Sequence, residues 1–168
     1  MFSENIRFYM DTILTEEALE QTKIVLIGPP PINGSENAPE NDQIEADVER
    51  LNNGKKIWPR YKTYMSKKRY AEGMMDIAKE YEETERVIGL NLWRGVVEEK
   101  LKEDGEGSWE NLEKSELWPG CGLIGAKSFE KGWFTDGLHL NRKGYGVLNR
   151  MLIEEVEKKW PELAVENL

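Results

Sequence analysis

The chain has 168 residues, with 23 Lys and Arg against 32 Asp and Glu, for a formal net charge of −9. At this length a single domain with a buried core is expected, and the 39% hydrophobic and 33% charged fractions describe a heavily solvated surface. So acidic a chain repels the phosphate backbone instead of displacing its counterions, which argues against nucleic-acid binding.

Cys121 is the only cysteine, so no intrachain disulfide can form and a reducing compartment is the simpler reading. His139 is the only histidine, which excludes a metal site built from several His or Cys. Residues Met1 to Gln21 carry Glu4, Asp11, Glu16, Glu17 and Glu20, unlike either an apolar-centred signal peptide or a basic transit peptide. No stretch approaches the roughly 18 apolar residues of a membrane span. A cytoplasmic location, with no metal or cofactor, is the expectation.

In chain order, Ile6, Tyr9, Met10, Ile13, Leu14 and Ala18 follow the spacing of an amphipathic helix. Ile24-Val25-Leu26-Ile27 is a short apolar run stopped by Gly28 and Pro29, and reads as a strand covered on both faces. Residues 29–62 carry turn signals such as Asn33-Gly34-Ser35 and Asn52-Asn53-Gly54, predicting a long loop. That loop is read either as a lid or as a tolerated surface insertion. Lys67-Lys68-Arg69 reads as a solvated helix start, followed by a helical face at Tyr70, Met74, Ile77, Ala78 and Tyr81.

Arg86-Val87-Ile88-Gly89-Leu90 supplies a second strand. Leu90, Trp93, Val97 and Leu101 predict a helix that stops in the turn at 103–107. A last helix is expected from the N-cap Asn141, with Tyr145, Leu148, Met151, Leu152 and Val156 inward and Pro161 limiting its length. The alternation predicts an α/β domain with parallel strands and right-handed crossovers. Two strands are few for such a sheet, so either a strand is hidden or the chain belongs to a larger fold.

The chemistry is concentrated in Trp133-Phe134-Thr135-Asp136-Gly137-Leu138-His139-Leu140-Asn141. Asp-Gly favours a tight turn, which can set the Asp136 carboxylate against Nδ1 of His139. A carboxylate there would fix the tautomer and stabilise the imidazolium formed when Nε2 takes a proton. On spacing alone two readings stand, a base with its orienting acid or a structural turn before a helix.

Phe134-Thr135-Asp136-Gly137-Leu138-His139-Leu140-Asn141, with Gly144-Tyr145 after it, closely resembles the last block of the SGNH (GDSL-type) hydrolases. Within that superfamily the chain looks most like the isoamyl acetate-hydrolysing esterases. The helix around Glu4-Asn5-Ile6, the Ile24 to Pro31 strand and loop, Tyr70 to Tyr81, Val87 to Trp93 and the closing helix extend the resemblance over most of the chain. The resemblance implies a flavodoxin-like three-layer (αβα) fold in which Ile24–Ile27 and Val87–Leu90 are the last two strands. It implies that Asp136 and His139 are the orienting acid and general base of a Ser-His-Asp triad, acting on small acyl esters without a cofactor. Ligands of such sheets bind beyond the carboxyl ends of the strands.

The family's Gly-Asp-Ser block and its oxyanion-hole Gly and Gly-x-Asn-Asp segments have no counterpart here. None of Ser3, Ser35, Ser66, Ser108, Ser115 and Ser128 lies in a Gly-Asp-Ser setting, and Ser35 in Asn33-Gly34-Ser35-Glu36 comes nearest. Residues 1–168 are therefore expected to be a truncated, C-terminal part of an SGNH hydrolase-type esterase domain. Loss of a triad nucleophile costs about 10⁶ in kcat and loss of a hole donor roughly a further 10²–10³. Alone, the chain should not hydrolyse a small ester substrate.

By the family's strand order the Ile24–Ile27 edge lacks a neighbour, which predicts self-association. Two other readings are a non-catalytic interaction module and a degenerate fragment that keeps the scaffold. Trp58, Trp93, Trp109, Trp118, Trp133 and Trp160 are expected mainly to pack. Glu98-Glu99 and Glu154-Glu155 read as solvated helix faces, and Cys121 as a small loop residue.

Overall fold

Residues 2–34, 59–105, 107–123, 125–164 and 167 are described by the computed structural model, with the backbone alone for 59–62. The chain opens with α1 (Phe2–Thr15), whose Ile6, Met10 and Leu14 lie one turn apart and pack toward the sheet. The predicted face needs two corrections. Tyr9 is 62% exposed, because neighbours on a helix point about 100° apart and Met10 takes the inward direction. Ala18 lies beyond the helix, in the 3₁₀ turn Glu17–Leu19, after the backbone extends at Glu16.

Strand β1 (Ile24–Ile27) pairs in parallel with β2 (Val87–Leu90), in register from Ile24 against Val87 to Ile27 against Leu90. Ile24 N–H donates to Arg86 O at 2.8 Å and Gly28 N–H to Leu90 O at 2.9 Å. In a parallel ladder alternate residues bond to the same side, so the N–H and C=O of Val25 and Ile27 point to the outer edge. Among the described residues no strand pairs with that edge. The expectation of a strand covered on both faces is therefore corrected: Leu26 is buried, Ile24 and Val25 are half-buried, and Ile27 is 38% exposed.

Helix α2 runs from Pro59 to Glu80 and connects the two strands. It begins earlier than the Tyr70 to Tyr81 face predicts, so the 29–62 loop is corrected at its C-terminal bound, and residues 35–58 lie outside the described residues. Pro59 suits the first helical position, where no N–H is needed. Tyr64 and Ala71 are fully buried against Trp93 and Trp118, a face that forms only with partners distant in sequence. Lys67-Lys68-Arg69 is thus mid-helix, not a solvated start; the Lys68 ammonium sits 5.7 Å from the Trp93 ring and 5.4 Å from the Trp118 ring.

Helix α3 (Leu92–Asp104) starts on Asn91, whose side chain accepts from Arg94 N–H, and ends on left-handed Gly105. Helix α4 (Trp109–Ser115), capped by Ser108, occupies a stretch without a predicted element. Its seven residues bury only Leu112, too few to show a periodic stripe. Helix α5 (Arg142–Lys159) begins at Asn141 as predicted, but its buried positions are Gly144 and Val147. Tyr145, assigned inward from sequence, is 58% exposed.

The layers follow from the strand alternation. Leu26 and Val87 pack with Met10 of α1 and Ile77 and Ala78 of α2 on one face of the sheet. Leu90 and the flank of Val25 pack with Val147, Leu148 and Met151 of α5 on the other. The result is an α/β fold with helices on both faces of a parallel pair. A third core, around Tyr64, Trp93, Trp118 and Cys121, joins α2, α3 and the 117–126 loop. Lys100, with no exposed side-chain surface, bridges Asp104 at 2.5 Å and Glu130 at 2.6 Å, tying α3 to the segment before the His139 turn. Among the described residues, no helix is long and apolar enough to cross a membrane.

Candidate active site

Asp136 and His139 occupy the turn between Trp133 and the start of α5. Phe134 and Leu140, both buried, form an isolated antiparallel bridge that brings the two ends of the turn together. Thr135 N–H donates to His139 O at 2.9 Å, and Asn141 N–H to Trp133 O at 2.8 Å. Gly137 takes φ +81°, a left-handed conformation that glycine adopts without steric cost.

The Asp136 carboxylate organises the turn. Its Oδ1 accepts from Leu138 N–H at 3.0 Å and His139 N–H at 2.8 Å, and its Oδ2 lies 2.7 Å from His139 Nδ1. The His139 backbone N–H, then its imidazole and then the Leu138 N–H hold the carboxyl well below the usual carboxylate range. An ionised carboxylate only accepts, so Nδ1 carries the proton and Nε2 presents its lone pair. The two side chains are 71% and 53% exposed, and Nε2 has no hydrogen-bond partner among the described residues. The pair can therefore hold a proton acceptor in one tautomer on an open surface.

The turn lies beside the loop that leaves the carboxyl end of β1. Asn33 N–H, in that loop, donates to Gly137 O at 2.7 Å, and Gly34 N–H donates to Gly120 O at 2.7 Å. Asn33 is buried, with its carboxamide paired to the Phe129 backbone. Sequence reading treats Asn33 only as a turn residue, because partners so far along the chain leave no local signature.

No described serine hydrogen-bonds to His139. Ser66 Oγ accepts from Arg69, Ser108 caps α4 and Ser115 Oγ accepts from Leu117 N–H; Ser35 lies outside the described residues. Cys121 is fully buried, and burial pushes its thiol up, away from a reactive thiolate. Trp93, Trp109 and Trp118 stack edge-on at 5.2–6.0 Å as core, while Trp58 lies outside the described residues. Glu98 and Glu99 pair with Arg94 and Arg150, so they brace helix surfaces and do not form an acid–base couple. Among the described residues no group of three or more His, Cys, Asp or Glu is placed to hold a metal ion.

An apolar groove of about 580 Å³ lies at the carboxyl end of β1 between α1 and α2, lined by Phe2, Ile6, Ile27, Pro29, Tyr70 and Met74 among others. A second groove, of about 540 Å³, lies along β2 between α2 and α5. Asp136 and His139 line neither. No protein-family model matches the chain, and no curated protein is significantly similar to it.

Proposed function

We propose that the Asp136–His139 turn is the base-and-orienter part of an SGNH-type carboxylic-ester hydrolase acting on small acyl esters, with the attacking serine supplied from outside residues 1–168. The observation that carries this reading is the 2.7 Å contact between Asp136 Oδ2 and His139 Nδ1 on an exposed imidazole, in a turn tied through Gly137 O to the loop at the carboxyl end of β1. In such a triad Nε2 takes the serine proton as oxygen attacks the acyl carbon, then returns it to the leaving alkoxide. Asp136 stays ionised and stabilises the imidazolium. The flavodoxin-like sheet order and a cytoplasmic setting for ester or lipid metabolism belong to the same proposal.

The test is the coding sequence upstream of Met1. Where it encodes a Gly-Asp-Ser segment in frame, the longer chain should hydrolyse short-chain p-nitrophenyl esters. Its Asp136→Asn variant should then lose about 10⁴ in kcat with little change in KM. Retention of full activity by that variant would demote Asp136 to a turn residue.

A second reading, a non-catalytic interaction module, is favoured by the β1 edge that no described strand pairs with and by the apolar groove beside it. An edge strand next to an apolar groove suits an added strand. An upstream stop codon, together with an inert chain, would select it.

A further inference from the structure

The Leu138 N–H, His139 N–H and His139 Nδ1 bonds within the Asp136–His139 turn converge on the Asp136 carboxylate, and the tip they enclose, Gly137, is held from outside the turn. Its bridge residues and its Asx bonds all lie between Phe134 and Leu140. Phe134 and Leu140 pack into the core, but the Asp136, Leu138 and His139 side chains between them are exposed and gain little rigidity from packing. The geometry of the tip therefore depends on the contact that Gly137 makes outside the turn.

We infer that Asn33 is the positioning residue of this turn; the inference rests on reading Asp136 and His139 as a proton-handling pair. Asn33 is 3% exposed. Its Nδ2 donates to Phe129 O at 2.9 Å and its Oδ1 accepts from Phe129 N–H at 3.3 Å, as a neighbouring peptide group would. That closed pair fixes the Asn33 backbone, whose own N–H reaches Gly137 O at the tip of the turn.

A second route runs through the Phe129 ring. The ring is buried, with its centroid 5.4 Å from that of Trp133 and 5.1 Å from that of Phe134, the residue that opens the turn. Asn33 therefore grips the catalytic segment at its tip and behind its base. Only a carboxamide carries a donor and an acceptor side by side. Ala would leave the Phe129 N–H and C=O unmatched in the interior, and Asp would set a carboxylate against the Phe129 carbonyl.

The sole histidine makes the test direct, because every imidazole signal in a nitrogen-resolved spectrum is His139. At alkaline pH the unsubstituted chain should show one tautomer, with the proton on Nδ1. In Asn33→Ala that tautomer should give way to the mixture of free imidazole, and the Leu138 and His139 amides should lose about tenfold in exchange protection. If Asn33→Ala only lowers the melting temperature, with tautomer and protection intact, Asn33 is structural and the inference is overturned.

Should Asn33→Ala not fold, exchange of the Asn33 amide in the unsubstituted chain decides: protection supports the link to Gly137, and open-loop exchange overturns it. Asp136→Asn is measured alongside. A tautomer that ignores that change sinks the proton-handling reading itself, while the Asn33 amide still reports on the link to Gly137.

Discussion

Nδ1 of His139 lies 2.7 Å from Oδ2 of Asp136, and both side chains stand largely in solvent. An exposed ion pair adds little stability. The contact is maintained instead by the two backbone N–H groups that fix the other oxygen of the same carboxylate.

The acid behaviour of the turn follows. The Asp136 carboxyl titrates well below its ordinary value near 3.8, chiefly through the His139 N–H and then the imidazole. A lowered folded-state value means that its contribution is complete above the unfolded value and is lost only as pH falls through the folded one. Carbon-detected titration should find Asp136 still ionised where unperturbed aspartates are already half protonated. An Asp136 midpoint at the ordinary value would show that the turn does not hold.

Chemistry by this chain alone should be absent. No described serine is bonded to His139, so among the described residues the imidazole has no hydroxyl to deprotonate. Sustained turnover of p-nitrophenyl acetate should match that of His139→Ala. A multiple-turnover rate that disappears in His139→Ala would show that the chain carries its own nucleophile.

The outer edge of β1 presents the backbone groups of Val25 and Ile27, beside an apolar groove. Concentration-dependent self-association is the expected outcome, with Ile27→Lys suppressing it, since charge on an edge strand blocks pairing. Sedimentation velocity checks both. A monomer at every concentration would remove the edge as an interaction surface.

Gly120 takes φ +78°, and a Cβ there would meet Ile32 O at 2.5 Å and the Phe129 ring at 2.8 Å. Gly120→Ala should destabilise the fold by about 2–4 kcal/mol from backbone strain plus overpacking. Urea unfolding measures it. Because the displaced groups flank Asn33, the His139 tautomer should change as well, whereas an effect within half a kcal/mol would mean that the loops are loosely packed.

What could be read from the sequence was set by local physics. Strands β1 and β2, the Asn141 cap and the Asp136–His139 contact each depend on residues within a few positions, where periodicity, turn chemistry and capping act. Tertiary contacts decided the rest. The N-terminal part of α2 precedes the helix start read at Lys67-Lys68-Arg69, because its partners Trp93 and Trp118 are distant in sequence, and Tyr9 and Tyr145 fit apolar stripes yet face solvent. Asn33 gained its place from Phe129 and Gly137, far along the chain. Hydrogen bonds and packing between distant segments depend on how the layers assemble, and no local pattern encodes that.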